Sequence, residues 1–175
     1  MKFYETDLKG EYLIYPEKIT DLRGHFFRAY CEREFSENEL NIKWVQNNVF
    51  FSKKKGTLRG LAFQKKPHEE VRLIRCTRGK IFDVAVDLRS GSSTFGKYTS
   101  VILSAATGIQ HYIPKGFAHG YSTLSDNTEV LYQVSEFYHS EAGGIKWDDP
   151  IIAISWPMKP IMISEKDKGL PYLNK

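Results

Sequence analysis

What the chain lacks narrows its identity first. None of its 175 residues form an apolar run of eighteen, the length a membrane helix needs. The opening segment, MKFYETDLKG, has no apolar signal core. A cytoplasmic protein without a membrane partner is therefore expected. Cysteine is scarce: Cys31 and Cys76 are the only two, and their spacing is not that of a zinc site. Free thiols are expected rather than a disulfide. No internal repeat, low-complexity tract or Pro/Gly/Ser-rich linker interrupts the chain, so residues 1–175 read as one domain. The five histidines contain no His-x-His, and a metal-dependent barrel oxygenase needs closely spaced histidines plus a carboxylate. Excess charge is also small, at +4. Lys53-Lys54-Lys55 and Lys65-Lys66 are basic, but acidic residues are spread throughout, so these runs read as solvated loops and no nucleic-acid partner is expected.

Aromatic residues are plentiful, at 14%, within a 41% hydrophobic composition that can build a core. Short β-prone runs recur between turn residues: Tyr12–Tyr15, Lys43–Gln46 before Asn47-Asn48, Val71–Cys76, Ile81–Val86, Tyr98–Leu103, Gln110–Ile113 and Val130–Tyr138. This spacing predicts an all-β antiparallel sandwich or barrel. Only Cys31–Leu40 has helical character. Alternation is clearest in Ile81–Asp87, where Phe82, Val84 and Val86 share one face and Ile81, Asp83, Ala85 and Asp87 the other. Asp83 is then a carboxylate inside an apolar run, either at a solvated barrel end or facing a cavity.

Five blocks concentrate groups that bind anions or move protons. They are Asp21–Arg28, Gly56–Gln64, Arg72–Cys76, Ile113–Gly120 and Ile163–Asp167. Arg23, Arg59 and Arg72 lie in or beside β-prone segments, and a planar guanidinium is suited to a diphosphate. Surface ion pairing is the bland alternative.

In their order along the chain, Asp-x-Arg-Gly, Gly-Thr-Leu-Arg-Gly-Leu, Asp-Val-Ala-Val-Asp-Leu-Arg, Ile-Pro-x-Gly-Phe-Ala-His-Gly and Ser-Glu-Lys-Asp resemble the dTDP-4-dehydrorhamnose 3,5-epimerase family. The resemblance implies a cupin-type antiparallel jelly-roll barrel with one or two short helices. It further implies a homodimer, no metal or organic cofactor, and a nucleotide-diphosphate sugar as substrate. The implied reaction removes a proton beside the C4 ketone at C3 or C5 and returns it on the opposite face. That requires a base, an acid opposite it and positive charge near the enolate oxygen. By resemblance Tyr132 is the acid, Asp83 orients the base, and Asp167 is a further carboxylate. Arg23, Gln46, Asn47, Asn48, Arg59, His119, Tyr138 and Lys166 are substrate contacts.

Two positions break the pattern. Ala62 stands where the resemblance places the base histidine, and Arg72 stands where it places a lysine near the enolate. Arg72 keeps the charge, but a methyl group at position 62 accepts no proton. Three readings follow: a base removed by substitution, a base relocated to Tyr132, Asp83 or a water, or a sugar-nucleotide binder without turnover. A ketoisomerase of similar fold is a related alternative. His119 reads as a binding group and His111 as a satisfied or exposed strand histidine.

Overall fold

The β-prone runs pair into two antiparallel sheets whose facing side chains form one core, the layered arrangement of a jelly roll. The structure, a computed structural model, describes residues 1–173. Its strands are β1 (Lys2–Glu5), β2 (Tyr12–Tyr15), β3 (Ile19–Asp21), β4 (Gly24–Phe26), β5 (Gln46–Ser52), β6 (Leu58–Phe63) and β7 (Arg72–Arg78). They continue with β8 (Lys80–Asp87), β9 (Tyr98–Ser104), β10 (Gln110–Ile113), β11 (Phe117–Thr123), β12 (Thr128–Val134) and β13 (Gly143–Gly144). Two short helices, α1 (Glu32–Glu37) and α2 (Glu165–Lys168), are added to these. One sheet has the order β1-β2-β10-β7-β12-β5 and the other β13-β6-β11-β8-β9, while β3 and β4 form a separate hairpin.

The alternation in β8 positions the core. Ile81 and Ala85 face inward with Ile74, Cys76, Leu103, Phe117 and Val130. Val84 and Val86 face outward, where Leu61, Ala118, Ile145 and Ile152 cover them. Each buried Val, Leu, Ile or Phe among them contributes about 1.5–3 kcal/mol. The segment carrying Ile145 and Ile152 is held by Asp149, which accepts hydrogen bonds from the backbone N–H groups of Ile151, Ile152 and Leu173. On the far side of the six-stranded sheet, α1 places Phe35 against Ile14, Leu73 and Tyr112. Helix α1 is shorter than the predicted Cys31–Leu40, with Cys31 as its N-cap residue. Cys31 and Cys76 are both free.

The largest local difference from the sequence expectation lies at β5. Asn47 and Asn48 are not a turn but the middle of a strand, paired with Gln133 and Tyr132 of β12. The ladder satisfies their backbone groups and overrides the turn preference of the amides. Strand β12 in turn ends at Val134 rather than Tyr138. Strand β11 has no alternation to detect because all seven of its residues are buried. Its Gly120 is required by close approach: a Cβ there would lie 2.7 Å from the Arg59 carbonyl oxygen.

Candidate active site between the two sheets

A cavity of ≈ 340 Å³ opens between the sheets. Arg59 and Ala62 of β6 and His119 of β11 line one wall, and Gln46 and Asn48 of β5, Arg72 of β7 and Tyr132 of β12 line the other. Lys166 and Asp167 of α2 close one edge, and Tyr138 stands at the mouth. A bulge in the β6–β11 ladder shapes the first wall. His119 pairs with Ala62 and Tyr121 with Arg59, so β6 carries one extra residue between the two pairs. Arg59 and Ala62, three positions apart, can therefore both face the cavity.

The cations in the cavity are held differently. Arg59 donates to Ser52 Oγ and the Phe51 carbonyl, and its guanidinium lies 4.6 Å from the Phe50 ring centroid. Phe50 stacks on Tyr132 at 5.1 Å, which fixes the phenol plane. Burial raises the Tyr132 pKa, so this phenol keeps its proton at neutral pH. Arg72 is more fully engaged. It donates from Nε to Glu70 at 2.7 Å, pairs through its NH2 nitrogen with the same carboxylate at 2.6 Å, and donates from NH1 to the Ala62 carbonyl at 2.9 Å. Glu70 also accepts from Gln64 Nε2. Arg72 thus brings its charge to the cavity, where much of it is neutralised locally by Glu70. Asp167 reaches the cavity because Ser164 caps α2 through the Asp167 N–H, and its carboxylate accepts from the Gly60 N–H at 3.3 Å.

Deeper between the two sheets, beyond His119, lies a chain of buried ionisable groups. Asp83 accepts from His119 Nε2 at 2.8 Å and from His111 Nδ1 at 2.8 Å. His111 Nε2 lies 2.6 Å from Glu11. Glu11 also accepts from the hydroxyls of Thr6 and Thr99. Burial opposes a charge on Asp83, but the two imidazoles outweigh it and hold the carboxyl below the usual range. Burial likewise opposes a charge on His111, yet Asp83 and Glu11 push its pKa up to about 9. For His119 burial wins: its pKa is lowered, with Arg72 and His111 adding to the effect, so the ring is neutral at pH 7.

The cavity brings together most of the site residues expected from sequence: Gln46, Asn48, Arg59, Ala62, Arg72, His119, Tyr132, Tyr138, Lys166 and Asp167. Three lie elsewhere. Arg23 sits on the exposed β3–β4 hairpin, paired with Asp21 at 2.6 Å, and its side chain is 90% exposed. Asn47 occupies the opposite face of β5 from Gln46 and Asn48, as strand alternation requires. Asp83 is fully buried between the sheets beyond His119 and does not line the cavity. Ala62 would leave Asp83 without the imidazole that the resemblance places beside it, but His119 and His111 both supply one. Glu70 and Glu11 were missed by sequence reasoning. Glu70 lies two residues before Arg72 in an extended segment, a same-face spacing that pointed to it. No local signal links Glu11 to His111, a hundred residues away.

The dTDP-4-dehydrorhamnose 3,5-epimerase family matches residues 5–175. The chain is 45% identical over 175 residues to the dTDP-4-dehydrorhamnose 3,5-epimerase of Sinorhizobium fredii, covering 99% of this chain and 90% of that protein. In structure it is similar to the Bacillus anthracis dTDP-4-dehydrorhamnose 3,5-epimerase with TDP and PPi bound, at TM-score 0.95 and 40% identity over 98% of this chain and 99% of that one. It is also similar to the Legionella pneumophila dTDP-6-deoxy-D-glucose-3,5-epimerase in complex with dTDP-4-keto-L-rhamnose, at TM-score 0.92 and 36% identity, over 98% and 92% of the two chains. With the motif order, the jelly roll and these likenesses in agreement, the chain belongs to the dTDP-4-dehydrorhamnose 3,5-epimerase family.

Proposed function

We propose that the protein binds a dTDP-linked 4-keto-6-deoxyhexose and epimerises it at C3, C5 or both through an enolate. The observation that carries this reading is the two-walled cavity. Proton-handling groups stand on both sheets, with His119 on one wall and Tyr132 on the other, and Arg59, Arg72 and Lys166 nearby. Inversion needs this opposition, because a proton removed from one face of the sugar must be replaced on the other. Tyr132 delivers the replacing proton. Arg72, its plane fixed by Glu70, keeps two N–H bonds, one on each terminal nitrogen, for the enolate oxygen. Arg59 and Lys166 meet the diphosphate, which suits charge-assisted pairing. Gln46 and Asn48 hold the polar edge of the substrate, and Tyr138 at the mouth offers a ring for the base to stack on.

The functional unit in this reading is a homodimer. The β3–β4 hairpin exposes Ile19, Leu22 and Phe26, and β5 exposes Val49 and Phe51. A second copy covering these side chains removes apolar surface from water and gives Arg23 a neighbour beyond its own chain.

The test is solvent-deuterium incorporation into dTDP-4-keto-6-deoxyglucose, followed by proton NMR that resolves C3 from C5. Exchange with inversion at either carbon supports the reading. Ala62 favours a second reading, binding without turnover, which tight dTDP binding with exchange at neither carbon would establish.

A further inference from the structure

We infer that His119 is the base that takes the sugar proton in this chain, with Asp83, His111 and Glu11 as the positioning groups behind it. The inference rests on the epimerase reading above and specifies which atom receives the proton.

The first support is placement. In the β6–β11 ladder His119 is the direct partner of Ala62. Directly opposed residues of an antiparallel pair project to the same face, with Cβ atoms about 4.5–5.5 Å apart. The imidazole therefore stands beside the methyl group of Ala62, on the cavity wall opposite Tyr132. The bulge beyond this pair leaves the His119–Ala62 juxtaposition intact.

The second support is the tautomer. Asp83 is ionised and can only accept, so its 2.8 Å contact with His119 Nε2 requires the proton of the neutral ring to sit on Nε2. The lone pair is then on Nδ1, the nitrogen left for the cavity. His111 is the contrasting case. Both of its nitrogens face carboxylates, Asp83 and Glu11, so both carry protons and the ring is cationic. The four groups bridge one to the next. They do not converge on a common point, and among the described residues no three His, Cys, Asp or Glu side chains form a metal-sized cluster.

Charge balance supplies the third support. At rest the network holds two carboxylates, Asp83 and Glu11, against one imidazolium, His111. A proton arriving on His119 makes it two against two. In the reaction the C–H bond at C3 or C5 breaks and its proton bonds to Nδ1. The electron pair forms the C=C bond of the enolate, and the carbonyl pair moves to the C4 oxygen. Tyr132 then gives its proton to the opposite face of the carbon as the enolate returns to ketone. Exchange with solvent removes the proton from His119 and restores the Tyr132 phenol. The cavity's two carboxylates are less suited to this task. Glu70 already receives Arg72 and Gln64. Asp167 already accepts the Gly60 N–H.

The test compares the unaltered protein with His119→Asn, Asp167→Asn and the double variant Glu11→Leu/His111→Leu. Exchange at C3 and C5 and dTDP affinity are measured for each, with the pH dependence of kcat/KM for the unaltered protein and the double variant. His119→Asn is expected to lower exchange by about 10²–10⁴-fold, while dTDP still binds. The double variant is expected to keep KM while its rising pH limb moves to higher pH. The charged and titratable groups facing His119 are Asp83, His111, Arg72 and, on its own strand, Tyr121, with Arg59 on β6; removing the His111 cation makes protonation of His119 easier. Exchange that persists in His119→Asn overturns the inference alone, as does loss of exchange confined to Asp167→Asn. Absence of exchange in the unaltered protein overturns both this inference and the epimerase reading. Should His119→Asn fail to fold, an unmoved pH limb in the double variant still refutes the assignment.

Discussion

Raising the pH from 6 to 9.5 is expected to destabilise the fold through His111. Its pKa is ordinarily near 6.5 and is about 9 in the folded protein. A raised pKa means the folded state holds the proton more tightly than the unfolded chain. The resulting stability is fully present below pH 6.5 and is lost as the pH rises through about 9. At about 1.36 kcal/mol per pH unit, the interval corresponds to about 3 kcal/mol. That is a large share of the roughly 5–15 kcal/mol by which such domains are stable. Urea unfolding at half-unit pH steps reads the loss directly as a falling midpoint. Cys76, buried and with its pKa pushed up to about 11, begins to contribute a similar fall above pH 9. It is common to all variants and cancels in their differences. His111→Leu alone leaves Glu11 and Asp83 with one partner fewer and should cost about 3–5 kcal/mol. Glu11→Leu/His111→Leu replaces the whole pair with apolar side chains and should recover most of that cost while flattening the profile between pH 6.5 and 9. Equal slopes in the unaltered protein and the double variant would refute the reasoning, because the pH dependence would then lie outside the Glu11–His111 pair.

Three further outcomes follow from single contacts. Tyr132→Phe keeps the stack on Phe50 but removes the opposite-face proton. Inversion should fall by about 10²–10⁴-fold while deuterium still enters from the His119 side, and equal loss of both would argue against the assignment of Tyr132. Gly60→Ala meets both a φ of +102° and a Cβ position 2.6 Å from the His119 carbonyl oxygen. Neither backbone can give way cheaply, so unfolding measurements should show a loss of about 3 kcal/mol or more, and a change within about 0.5 kcal/mol would contradict the close approach. Leu22→Lys with Phe26→Lys places charges on the exposed hairpin, and if the proposed homodimer forms there, light scattering should find a dimer for the unaltered protein and a monomer for the variant. A dimer that survives both substitutions would move the interface elsewhere.

The legible part of the fold was the part whose physics is local. Strand β8 announced itself because both of its faces are apolar and Asp83 interrupts only one of them. Strand β11 carried no such pattern: it is central and buried along its whole length, so Gly120, Ser122 and Thr123 are selected for close packing rather than for alternation. The amides of β5 looked like a turn because their pairing with β12 lies eighty-odd residues away in sequence. The cavity residues were largely readable through motif order, but their partners were not. Asp83 was visible on a strand, yet whether it met an imidazole depended on β11 beside it and on β10 facing it from the other sheet. Arg72 was visible as a charge, and only the fold reveals how much of that charge Glu70 uses. Arg23 was read as a substrate contact from its motif, and only the hairpin's exposed position separates it from its own chain's cavity.

The site can be understood by asking which charges lack a match. Arg72 is matched by Glu70, and His111 by Glu11, so both cations arrive with their own anions. Arg59 and Lys166 line the cavity without a carboxylate partner among the described residues. Asp83 is the converse: it shares the His111 cation with Glu11, which leaves the buried network one positive charge short. A nucleotide-linked keto sugar supplies both missing counterparts. In the proposed reading its diphosphate meets the unmatched cations at the cavity wall, and the acidic C–H beside its ketone supplies the proton that His119 can hold against Asp83. Binding and proton removal are thus two neutralisations on one ligand. The loss of an imidazole at position 62 leaves this balance in place, because the proton's destination is set by Asp83 on β8 and reached through β11.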